Sequence, residues 1–221
     1  MQGELETALQ ALYRSPVRVT GASRTDAGVH AAGQIVHFDP PLAIPPHGVA
    51  RALAGLLPED VRVLRVWVAP AHFDARRSAR AKRYCYRLAW GPPLAPWEAL
   101  RRFWLPNALD AAVIAKAIGA LSGTHDFAAF ALTGHSGHGA RGTCRTITRA
   151  MLRGRGRRAD LVFEGDGFLR GMVRRFAGAL IEVGRGAQTP SWFHALVTHG
   201  TGEPPAPTAP AHGLTLERVF Y

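Results

Sequence analysis

The run Ala22-Ser23-Arg24-Thr25-Asp26-Ala27-Gly28-Val29-His30-Ala31 sets one acid beside one base in a turn that carries a glycine. A neighbouring cation favours the charged form of a carboxylate, so Asp26 beside Arg24 suits work as an ionised nucleophile rather than as a proton donor. The alternating stretch Gln34-Ile35-Val36-His37-Phe38 follows and reads as a strand, which leaves Asp26 in a loop. Asp and Gly also favour tight reversals, so the same letters taken alone describe an ordinary hairpin turn.

Other residues with chemical potential lie far along the chain. Arg76, Arg77, Arg80, Lys82 and Arg83 crowd the segment Phe73 to Tyr86, which ends in Tyr84-Cys85-Tyr86. Arg174 follows Phe168-Leu169-Arg170-Gly171-Met172-Val173. On the residues alone, Tyr84 on an alternating strand reads as core, and Arg174 on a helix reads as a solvated charge or a structural ion pair. The order of these segments changes that reading. Together with His125-Asp126-Phe127-Ala128-Ala129-Phe130, Arg145-Thr146-Ile147 and the closing Thr208-Ala209-Pro210…Gly213-Leu214-Thr215-Leu216, they resemble the TruA family of tRNA pseudouridine synthases over nearly the whole chain.

The resemblance implies a set of roles. Asp26 is expected as the nucleophile and Arg174 as its cationic partner, with both catalytic together with Arg24. Arg24 matches the family's loop arginine, expected to hold a phosphate or the space a flipped base vacates. Tyr84 is expected to stack on the extruded uracil; a target base must leave its stack to be reached, and an aromatic face returns about 1–3 kcal/mol per base. The implied reaction breaks the N1–C1′ bond of a uridine in the anticodon arm of tRNA and rejoins the base through C5. It needs no cofactor, and the family works as homodimers with tRNA lying across both subunits.

Composition agrees with a polyanionic partner. The 27 basic and 16 acidic side chains leave a net charge of +11. Arginine pairs bidentately with phosphate and stacks on bases, which makes Arg76 and Arg83 candidate substrate contacts, as are Arg153, Arg155, Arg157 and Arg158. The last four equally suit a hairpin tip. Codon bias accounts for arginine over lysine but not for the net charge. Cys85 and Cys144 form no C-x-x-C and fit a reducing cytosol, and no apolar run reaches membrane-spanning length. A cytoplasmic protein that enters no membrane is expected.

The elements that must position these residues follow from periodicity. Helices are expected at 3–14, 48–57, 110–121 (capped by Asp110), 167–183 and 190–199; the fourth carries Phe168, Met172, Phe176 and Leu180 on one face. Strands are expected at 17–22, 29–38, 61–68, 81–90, 143–153, 160–164 and 214–220. The second half then reads strand, helix, strand, strand, helix, strand, the ferredoxin-like βαββαβ order. The first half is the same pattern without its opening strand. The expected fold is therefore α+β, with two ferredoxin-like lobes (1–71, carrying the Asp26 loop, and 72–221, carrying Tyr84 and Arg174), mainly antiparallel sheets and a catalytic cleft between them. An interior strand lost from the first lobe would expose two edges. A valine codon taken as the initiator, with native residues upstream of Met1, would account for the loss.

Two competing readings remain open at this level. Asp26, His30 and His37 have a ligand-like look, and His135 and His138 lie in the Gly/His-rich stretch 134–142. The odd spacing of His30 and His37 points them to opposite faces of an extended segment, and no H-x-x-x-H or C-x-x-C supports zinc. The other reading is a noncatalytic RNA-binding protein or an inactive truncated form. Pro-rich residues 202–210 read as a surface loop.

Overall fold

The alternation at the start of the second half is realised as one strand, Ala81–Trp90, hydrogen-bonded on both sides. Leu214–Phe220, Ala81–Trp90, Arg158–Gly165 and Cys144–Arg155 lie side by side in that order, each antiparallel to the next. In chain order these are the fourth, first, third and second strands of a βαββαβ unit, as the pattern predicts. Three short pieces extend the sheet: Gly123–Asp126 beside Cys144–Arg155, Phe103–Leu105 along the end of Ala81–Trp90, and His30–Ala31 parallel to Leu214–Phe220. Arg155 pairs with Arg158, so this basic run turns at a hairpin tip.

This computed structural model describes residues 1–132, 134, 142–200 and 206–221. The His135 and His138 positions, most of the 134–142 loop and the first part of the 202–210 loop lie outside the described residues. Within the described residues the chain forms two units, Met1–Arg24 with Gln34–Ala79, and Thr25–Gly33 with Arg80–Tyr221. The fold is mixed α+β with mainly antiparallel pairing.

In the second unit, helix Ala111–Ile118 starts where Asp110 Oδ1 accepts from the backbone N–H groups of Ala112 (2.9 Å) and Val113 (3.0 Å). The helix expected from residue 167 begins only at Met172, after Gly171 in the left-handed region (φ 71°), and runs to Gly184. Phe168 therefore precedes it and does not share its buried face. Phe176 does: its ring lies 4.8 Å from that of Phe130, 5.3 Å from Phe127 and 5.6 Å from Phe163. Removing such a ring costs about 3–5 kcal/mol, so this cluster anchors the helix that carries Arg174.

In the first unit, helices Gln2–Tyr13 and Pro46–Leu56 bury Leu5, Leu9, Tyr13, Val49 and Leu53 against one another. Strand pairing there is short, Thr20–Gly21 against Val36–His37. The expected strand at 29–38 is thus two pieces, since His30–Ala31 pairs in the second unit. The strand expected at 61–68 does not form. Val61, Val63 and Val66 pack against the buried cluster of this unit, but Val66 breaks the alternation, Leu64 and Val68 are exposed, and the segment pairs with no described strand. No described helix is long and apolar enough to cross a membrane.

Candidate active site

Asp26 opens a tight turn in which Val29 N donates to Asp26 O at 3.1 Å. Gly28, at φ 80°, occupies the third position of that turn, where a side chain would be strained. The chain then enters the sheet: His30 and Ala31 pair with Thr215 and Leu216, and Ala32 N donates to Leu216 O at 2.9 Å. A loop pinned to a strand on its downstream side holds its carboxylate in a defined place.

The structure brings Arg174 to it. Arg174 Nη1 donates to Asp26 Oδ2 at 2.9 Å, and Arg174 Nε donates to Ala209 O at 2.8 Å. Both side chains of the pair are partly shielded, 19% exposed for Arg174 and 27% for Asp26. A charge-assisted bond in such a setting holds the carboxylate in a fixed direction, while the remaining exposure leaves room for a reactant.

Tyr84 belongs to the same sheet. Leu216 is the partner of Ala31 on one side and of Tyr84 on the other, so Tyr84 stands two strands from the end of the Asp26 loop, about 10 Å at the usual strand spacing. It is buried, and its ring meets the Phe168 ring edge-on at 5.0 Å. Phe168, read from sequence as helix core, is half-buried beside this tyrosine instead. Arg83 is engaged by Glu164, which accepts from its Nε (2.8 Å) and Nη2 (2.6 Å).

Arg24 and Arg76 belong to the first unit and are exposed there. Arg76 sits in a turn built by Asp74, whose Oδ1 accepts from the backbone N–H groups of Arg77 (2.7 Å) and Arg76 (2.8 Å). Those bonds, Arg77's above all, hold the Asp74 carboxyl below its ordinary pKa. Gln34 was not singled out in the sequence, yet its amide closes the short ladder by accepting from Ser23 N and donating to Ser23 O (2.7 Å). Of the metal-ligand candidates, His30 lies in the second unit and His37 in the first, where His37 Nδ1 accepts from Ala75 N at 2.9 Å.

Comparison with known proteins decides the lineage. A family model described as tRNA pseudouridine synthase matches residues 117–221. A tRNA pseudouridine synthase A of Frankia casuarinae is 44% identical over 230 aligned residues, spanning all of this chain and 80% of the relative. The chain belongs to the tRNA pseudouridine synthase A family. Relatives from Desulfotalea psychrophila (38% identical, 90% of its length) and Geobacillus kaustophilus (39%, 85%) also match the whole chain. Membership in the synthase family agrees with the mixed α+β fold and with the sheet order of the second unit.

Proposed function

We propose that this chain isomerises uridine to pseudouridine in the anticodon arm of tRNA, with Asp26 as nucleophile. The Asp26–Arg174 ion pair carries the reading, supported by family membership. An ionised carboxylate either attacks the ribose at C1′ or removes a ribose proton to give a glycal. In both, the N1–C1′ bond breaks, the uracil turns, and a C5–C1′ bond forms. The C5 proton leaves to solvent and N1 gains one, with no change in oxidation state. Arg174 aims the carboxylate, and Tyr84, buried beside Phe168, is the aromatic expected to receive the extruded base. Arg24 and Arg76 meet phosphates; Arg83 does so by sharing its guanidinium with Glu164. No cofactor has a step in this chemistry.

Tritium release from tRNA labelled at uridine C5 tests the reading. The wild-type chain releases tritium, and Asp26→Ala binds tRNA but releases none. A chain that binds tRNA and releases nothing in either form is a noncatalytic RNA-binding protein. The family resemblance also supports a cytoplasmic homodimer, for which sedimentation would give twice the 23.8 kDa chain mass.

A further inference from the structure

The segment Pro207 to Gly213 touches three parts of the second unit at once. Against the Met172–Gly184 helix, Ala209 N donates to Arg174 O at 3.2 Å while Ala209 O accepts from Arg174 Nε. Toward the Asp26 loop, a Cβ placed on Gly28 would lie 3.3 Å from that of Ala211. At the strand Ala81–Trp90, the Tyr86 hydroxyl donates to Pro210 O at 2.8 Å. Tyr86 is completely buried, and its ring lies so close to Gly213 that a Cβ there would come within 2.7 Å of it.

Arginine has a long, rotamer-rich side chain, and one bond to a carboxylate does not fix its direction. The second bond, from Nε to Ala209 O, does so only if that carbonyl is itself held. Its neighbour Pro210 is held by the phenol of Tyr86. Burial raises the Tyr86 pKa, so this hydroxyl stays protonated and able to donate.

We propose that Tyr86 is a positioning residue: by fixing Pro210 it places the Ala209 carbonyl that directs the Arg174 guanidinium at Asp26. The inference rests on reading Asp26 and Arg174 as the catalytic pair. A reacting group misplaced by about 1 Å can lose on the order of a hundredfold in rate, so removing the hydroxyl acts on turnover and not on tRNA binding.

The test is a double-mutant cycle in tritium release with Tyr86→Phe, Arg174→Lys and both together. Lysine has no Nε–H fork, so it cannot use the Ala209 carbonyl and Asp26 as Arg174 does. Tyr86→Phe lowers kcat about tenfold to a hundredfold with KM for tRNA unchanged, yet lowers it less than about twofold further in Arg174→Lys. Pro210→Gly, which keeps the carbonyl but frees the backbone, follows the same pattern and stands in if Tyr86→Phe does not melt cooperatively. A kcat unchanged by these variants, an effect on KM alone, or an equal loss in both backgrounds overturns the positioning role. Wild-type turnover in Arg174→Lys overturns the catalytic pair itself, and the positioning role with it.

Discussion

Arg174 holds Asp26 across 148 positions of sequence, with Nη1 on Oδ2 at 2.9 Å. The pair is partly exposed, so its worth to stability is about 1 kcal/mol or less. On the proposed catalytic role its worth to the reaction is larger, because a preorganised charge acts where charge moves. Arg174→Ala therefore lowers the single-turnover rate on the order of 10²–10³-fold while the melting temperature and tRNA affinity stay near wild type. A loss confined to tRNA affinity would instead assign Arg174 to RNA binding.

Arg76 and Arg83 differ in what surrounds them, and their responses to salt separate them. Arg76 is exposed above the Asp74 turn, so Arg76→Ala reduces the slope of log affinity against log salt by about one, uniformly across tRNA sequences. Arg83 is already paired with Glu164. Glu164→Gln frees it, and tRNA binding tightens at low salt with a steeper slope. Filter binding from low to moderate salt measures both; a Glu164→Gln slope equal to wild type removes Arg83 from the RNA contacts.

Much of the second unit was legible because its patterns are long. Ala81–Trp90 and Leu214–Phe220 stand where their apolar residues put them, although burial does not alternate along either strand, since consecutive residues such as Tyr84, Cys85 and Tyr86 are all buried. Phe168 was misplaced for a local reason: its spacing fits the helix face of Met172 and Phe176, but Gly171 turns the chain before the helix starts. At 61–68 the alternation holds only for Val61 and Val63; Val66 packs from the other face, Leu64 and Val68 are exposed, and a side-chain pattern alone does not fix what the backbone pairs with. The link between Asp26 and Arg174 came from the family resemblance, since no local rule connects residues so far apart. Ala209 escaped notice because it works through a backbone carbonyl, which any residue type could supply. Tyr86 is core, and only the position of its hydroxyl on Pro210 distinguishes it.

His212 ties stability to pH. It sits in the turn Ala211–Gly213 with its ring 6.0 Å from that of Phe103. Burial first, and the charge of His30 second, push its pKa below the ordinary 6.5. The folded protein thus prefers the neutral ring, whereas the unfolded chain takes up a proton as pH falls through 6.5. Its contribution is complete above 6.5 and is lost as pH falls through the lower, folded value. His212→Gln has nothing to protonate, so the wild-type melting temperature falls more steeply than the variant's between pH 8 and pH 5. Melts of both proteins across that range measure the difference, and a gap that stays constant with pH would show that His212 is not held neutral.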